Sequence, residues 1–167
     1  MFAIEHVGII VKDLEVSVRF YTALFDEPPI EQTSWQGRDA EYVGQLVGRP
    51  GLTLDEAFFR LPGTNAILEV GQFHNIADGE GVANRHFQTR SIHIGFAVDS
   101  IDDAVKRIKK AGATLSKPVE IAYGPYKGKG GKTATFTDPD GITIQVMEIA
   151  NRPGGLPVPS ARMGHWS

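Results

Sequence analysis

The chain has 167 residues, 41% hydrophobic and 22% charged, with a formal net charge of −3 and no cysteine. That length suits one compact domain or two packed half-domains, and the balance excludes a disordered chain, a membrane protein and the Lys/Arg footprint of a nucleic-acid binder. Without cysteine there are no disulfides, no thiolate-zinc sites and no thiol nucleophile, so any metal is held by nitrogen and oxygen.

The first element is an apolar strand opened by a histidine, His6-Val7-Gly8-Ile9-Ile10-Val11. A helix follows near Asp13, its apolar Leu14, Val18, Tyr21, Leu24 and Phe25 spaced by three and four. The polar stretch 31–53 reads as a surface insertion that carries Trp35 and Tyr42. Strand chemistry resumes at Ala57-Phe58-Phe59-Arg60-Leu61, turns at Pro62-Gly63-Thr64-Asn65 and continues through Ala66-Ile67-Leu68-Glu69-Val70.

The same order is then written again. His93-Ile94-Gly95-Phe96-Ala97-Val98 repeats the opening strand, and a helix starts at Ser100, whose hydroxyl suits an N-cap, with Gly112 as its stop. Thr133-Ala134-Thr135-Phe136-Thr137 leads through Asp138-Pro139-Asp140-Gly141 into Ile142-Thr143-Ile144-Gln145-Val146-Met147. His6 lies 63 residues before Glu69 and His93 lies 52 before Gln145, so the first copy is longer by about 11 residues, assigned to 31–53. The organisation expected is a first module over 1–72, a linker over 73–91, a second module over 92–149 and an extended tail over 150–167. His74 and His86 in the linker and His165 in the tail read as surface residues. The glycine-interleaved basic stretch 127–132 reads as a solvated loop or an anion-binding one. No apolar run reaches the ~20 residues that span a bilayer. No secretion signal opens the chain, so a cytoplasmic protein is expected.

A lone histidine at the start of a strand is most simply a satisfied core residue; its recurrence at the same place in an internal repeat reverses that reading. Glu69 interrupts an apolar strand, where an unpaired carboxylate is costly, and Gln145 holds the equivalent slot. With side chains alternating between faces, His6 and Gly8 point one way in the first copy and His93 and Gly95 in the second. If the copies pack as pseudo-symmetric partners, His6, Glu69, His93 and Gln145 offer two imidazoles and two oxygens to one divalent transition metal, Zn, Ni, Co, Mn or Fe. By the same alternation Glu148 points away from Gln145.

These residues resemble the vicinal oxygen chelate superfamily, which includes glyoxalase I, methylmalonyl-CoA epimerase, fosfomycin resistance proteins, bleomycin-binding proteins and extradiol dioxygenases. The resemblance covers about residues 3–149 and rests on His6-Val7-Gly8 with Asp13-Leu14-Glu15 and Phe20-Tyr21, on His93-Ile94-Gly95-Phe96, and on Phe136-Thr137-Asp138-Pro139-Asp140-Gly141. It implies an α+β fold of two pseudo-symmetric βαβββ modules, curled as a mixed sheet around a metal held by His6, Glu69, His93 and Gln145. One departure matters: the last ligand position, usually glutamate, is Gln145, which counts against iron-dependent ring cleavage and leaves Glu69 as the candidate base.

The function expected is that of a metal-dependent lyase or isomerase taking a proton next to a metal-bound carbonyl of a small molecule, with Glu69 catalytic. A non-catalytic drug-binding module and a non-haem Fe(II) dioxygenase are the alternatives. Trp35, Tyr123, Tyr126 and Lys132 are candidate substrate contacts, and a homodimer is expected, since modules of this family pair within one chain or across two.

Overall fold

The computed structural model describes residues 5–47, 49–76, 92–121 and 129–150. The chain divides into two units, Met1–Ala83 and Asn84–Ser167. Unit 1 contains β1 (His6–Ile10), α1 (Leu14–Phe25), β2 (Glu31–Trp35), α2 (Arg38–Val47), β3 (Thr53–Arg60) and β4 (Ile67–His74). Unit 2 contains β5 (His93–Val98), α3 (Ile101–Lys110), β6 (Val119–Glu120), β7 (Gly131–Thr137) and β8 (Thr143–Ile149). Each unit is an α+β arrangement on a four-stranded mixed sheet, in the order β1-β4-β3-β2 in unit 1 and β5-β8-β7-β6 in unit 2.

The topology is the same in both. The strand opened by histidine runs parallel to the last strand of its unit, and the other pairings are antiparallel. A parallel pair cannot be closed by a tight hairpin, and here two further strands lie between its members in sequence, with two helices in unit 1 and one in unit 2. Register carries the repeat to single residues: Gly8 lies opposite Glu69, and Gly95 opposite Gln145.

Each sheet of unit 1 and unit 2 has one apolar face. Leu68 and Val70 of β4 are fully buried beside Phe59 and Ala57 of β3, and α1 covers them. Tyr21, itself fully buried, and Phe25 each place their ring 6.0 Å from that of Phe59. Burying a side chain of this size contributes about 1.5–3 kcal/mol, which makes this layer the anchor of unit 1. In unit 2, Ile101, Ala104 and Ile108 of α3, Ile144 and Val146 of β8, and Ala134 and Phe136 of β7 are the buried counterparts.

Helices α1 and α3 start on a paired device. The Asp13 carboxylate accepts from Val16 N at 3.0 Å, and Ser100 Oγ accepts from Asp103 N at 3.3 Å. The first amide of each of these helices is taken by a side chain of the last strand: Leu14 N donates to Gln72 Oε1 and Ile101 N to Glu148 Oε2, both at 2.8 Å. Gln72 and Glu148 each stand three residues beyond Glu69 and Gln145, hence on the opposite face, so the strand that carries the candidate ligand also pins its helix. Glu148 therefore has a definite partner at the helix start. At the other end of α3, Gly112 N reaches Lys109 O and Ala113 N reaches Ile108 O, both at 3.0 Å, with Gly112 at φ 88°, the left-handed close that glycine favours.

Two sequence expectations differ from the structure. The stretch 31–53 is not an insertion loop, because it holds β2 and α2. β2 completes the sheet edge by pairing with β3, and the added length lies between them: Thr33 to its partner Glu56 spans 23 positions, whereas the corresponding Val119 to Thr133 spans 14. His74 is not a linker residue, since β4 runs through it and its Nε2 lies 2.8 Å from Asp55 Oδ2. Tyr123, Tyr126, His86 and residues 151–167, His165 among them, lie outside the described residues.

Candidate functional site

The face of the unit 1 sheet turned away from α1 carries His6 and Gly8 on β1, Glu69 and Gly71 on β4, Glu56 and Phe58 on β3, and Trp35 on β2, as their register and alternation require. Four of these side chains, His6, Glu69, Glu56 and Trp35, form a connected set. His6 Nε2 faces Glu69 Oε2 at 3.7 Å, while His6 Nδ1 is held by Glu5 Oε2 at 2.5 Å. A carboxylate on one ring nitrogen fixes the imidazole plane and turns the other nitrogen to the site, the usual support of a metal-binding histidine. Glu69 Oε1 stands over Gly8, 3.9 Å from where a Cβ there would lie.

Glu56 is the residue that sequence reading missed. It is only 5% exposed, accepts a hydrogen bond from Trp35 Nε1, and shares a hydrogen bond with Glu69. Burial and the neighbouring Glu69 carboxylate push the Glu56 carboxyl up to about 7, against the opposing pull of the Trp35 donor and His6. A proton is thus retained between two carboxyl groups at a pH where an ordinary glutamate has lost its own. The His6 imidazole is raised above its ordinary value, first by the hydrogen bond its ring donates to Glu5 and then by the charges of Glu69, Glu5 and Glu56, with burial opposing. The available signal was an acidic residue two positions before Phe58 on the strand opposite Glu69. Reading it required the β3–β4 register, which puts Phe58 against Glu69 and Glu56 against Gly71.

Trp35 belongs to this site through its indole N–H on Glu56, with its ring 6.0 Å from that of Tyr42. Gly71 provides the room: a Cβ there would stand 3.1 Å from Leu54, 3.5 Å from Ile10 and 3.7 Å from Glu56.

Unit 2 sets His93 and Gln145 in the same register relation, His93 opposite Thr143 and Gly95 opposite Gln145. At the position of Glu56 stands Thr133, paired with Met147 as Glu56 is paired with Gly71. Thr133 Oγ1 accepts from Gln145 Nε2 at 2.9 Å. Lys132 is exposed and, by alternation with Thr133, lies on the other face of β7 from the Gln145 side, so the structure does not bring it to that residue.

Transition-metal bonds to nitrogen and oxygen of about 2.0–2.2 Å spread neighbouring donors roughly 3.0–3.5 Å apart. The 3.7 Å between His6 Nε2 and Glu69 Oε2 is close to that spread, and the ring orientation set by Glu5 suits it. Among the described residues no group of three or more His, Asp or Glu side chains is disposed to hold a metal. Unit 1 therefore offers two donors that fit a cation rather than a full ligand set.

Comparison with known proteins agrees with the fold. The structure of a glyoxalase family protein from Bacillus cereus matches with a TM-score of 0.69 at 21% identity, over 88% of this chain and 93% of that one. A FosX fosfomycin resistance protein mutant from Listeria monocytogenes, solved with Mn(II) and 1S,2S-dihydroxypropylphosphonic acid, matches with 0.55 at 17% identity, over 91% and 92%. A glyoxalase I mutant from Zea mays matches with 0.56 at 23% identity over 89% of this chain, which corresponds to 46% of that longer protein. No curated protein matches the sequence significantly. The family model for the Glyoxalase/Bleomycin resistance protein/Dioxygenase superfamily covers residues 3–146. With most of its length matched and the same fold in all three structures, the chain belongs to that superfamily.

Proposed function

We propose that this protein is a metal-dependent lyase or isomerase that removes a proton next to the carbonyl of a small molecule. The observation that carries the reading is the Glu56–Glu69 carboxyl pair beside an imidazole whose far nitrogen is already oriented by Glu5. His6 and Glu69 are the proposed ligands from unit 1, and His93 and Gln145 those from unit 2, sharing one ion within a chain or across a homodimer. A divalent transition metal, when bound, supplies Lewis-acid polarisation of a substrate oxygen and so acidifies the neighbouring C–H.

The remaining work falls to the chain itself. Glu69 takes the carbon-bound proton. Glu56, whose carboxyl is pushed up to about 7, exchanges its proton around neutrality and in its protonated form donates a hydrogen bond to Glu69, so the pair can accept a second proton and return either one. That property suits an isomerisation or a lyase step, in which the abstracted proton is delivered elsewhere on the product. Trp35 holds the Glu56 carboxyl in place. A module that only sequesters a ligand has no use for a buried acid that titrates near neutrality beside a second carboxylate, and this favours an enzyme over a binding protein. The carboxamide at Gln145, in place of a carboxylate, weighs against the dioxygenase reading.

The test is deuterium wash-in. Protein loaded with Zn2+ or Ni2+ is incubated in D2O with a panel of α-hydroxy ketones, hemithioacetals and acyl thioesters, and C–H exchange is followed by NMR. Exchange that Glu69→Gln abolishes supports the proposal; a metal-loaded protein that exchanges no member of the panel counts against it.

A further inference from the structure

A glutamine can present its carbonyl oxygen or its NH2 group, and only the oxygen can hold a cation. In unit 2 the choice is settled by counting protons. Thr133 Oγ1 lies 3.0 Å from the Val146 carbonyl, which can only accept, so the single hydroxyl proton goes there. What remains on Thr133 Oγ1 is lone pairs, and only the NH2 end of Gln145 can meet them, at 2.9 Å. The orientation follows from donor and acceptor capacity alone. Oε1 is thereby turned to Gly95, 4.0 Å from where a Cβ there would lie, as Glu69 Oε1 is turned to Gly8.

We propose that Thr133 is the positioning residue of unit 2, its hydroxyl locking the Gln145 amide so that the carbonyl oxygen is presented on the sheet face that carries His93. The lock is well built for this. Thr133 is buried, with 5% exposure, and its β-branched side chain has restricted rotation. The two units then divide the labour at equivalent positions. Glu56 gives unit 1 an exchangeable proton, whereas Thr133 gives unit 2 a neutral donor–acceptor link that cannot ionise in the working range. The use made of the presented oxygen rests on the metal-dependent reading above; the orientation itself does not.

Two readouts separate these parts. In metal-free, 15N-labelled protein the Gln145 side-chain amide is identified by its loss in Gln145→Ala. Its two protons are expected at well-separated shifts, one hydrogen-bonded and one not engaged by Thr133. Thr133→Val, equal in shape but lacking the hydroxyl, collapses that separation, and Thr133→Ser retains it; Thr133→Ala replaces the valine variant should that one not fold. With Zn2+ as the probe, the affinity falls about tenfold to a hundredfold in Thr133→Val, the range known for residues that orient a ligand, and recovers to within about threefold in Thr133→Ser. Unchanged amide shifts in Thr133→Val overturn the lock. Altered shifts with unchanged zinc affinity overturn the presentation of the oxygen to a metal. A wild-type protein that takes up no zinc defeats the metal-dependent reading instead, and the amide shifts still decide the lock.

Discussion

Replacing Glu56 by glutamine should make the metal-free protein more stable above neutral pH and leave it unchanged in acid. The folded-state carboxyl titrates at about 7 against an ordinary 4.5, so the folded protein binds this proton more tightly than the unfolded chain does. For an acid shifted upward, the sign is that stability is full below 4.5, falls as pH rises towards 7, and is level beyond. At 1.36 kcal/mol per unit, that interval amounts to about 3 kcal/mol for a group this deeply buried. Glutamine reproduces the protonated form: its carbonyl can accept from Trp35 and its NH2 can donate to Glu69, with nothing to ionise. Urea unfolding with a chelator present, measured from pH 4 to pH 8.5, should show wild type losing stability across the interval while Glu56→Gln stays nearly flat. The two should meet at acid pH. Parallel curves, or a variant less stable than wild type at pH 8, would refute the claim that a proton is held between Glu56 and Glu69.

Because cation binding must displace the proton from His6, whose value is raised above 6.5, zinc affinity should climb with pH through and beyond that value; a flat profile from pH 6 to pH 8 in a calorimetric titration speaks against His6 as a ligand. Glu5→Gln should weaken zinc binding by up to about tenfold by freeing the imidazole plane, with folding stability unchanged, since Glu5 is exposed. Leu68→Ala, at a fully buried position under α1, should cost about 2–5 kcal/mol in denaturant unfolding. Gln72→Ala removes the acceptor for Leu14 N and Glu148→Ala that for Ile101 N, and each should cost about 0.5–2 kcal/mol, with weakened amide protection confined to α1 or α3 respectively.

The repeat, the caps and the strands that carry His6, Glu69, His93 and Gln145 were legible because each rests on local chemistry. Asp13 and Ser100 are capping residues by type, histidine and glycine fall at matching places in both copies, and a turn precedes the last strand in each, Pro62-Gly63-Thr64-Asn65 in the first and Asp138-Pro139-Asp140-Gly141 in the second. What was not legible depended on pairing between distant strands. Glu56 looks like a polar lead-in to Ala57-Phe58-Phe59 until β3 is laid against β4, when it becomes a buried acid beside Glu69. Thr133 looks like an ordinary β-former until the same register places it under Gln145. The stretch 31–53 misled because polarity suggested a loop. Its strand edges the sheet, where only one side has to be satisfied by pairing, so it needs no strong apolar pattern, and among the described residues Val43 is the buried hydrophobic side chain of α2.

Whether one ion is gripped by both units is the question on which the proposed chemistry stands. A zinc titration of chelator-treated protein, run in parallel on wild type, His6→Ala and His93→Ala, reads it directly. One ion per chain, with either alanine weakening binding more than the roughly hundredfold loss expected from a merely supporting residue, is the predicted result. Stoichiometric binding that survives loss of either histidine, or no binding by the wild type, would contradict it.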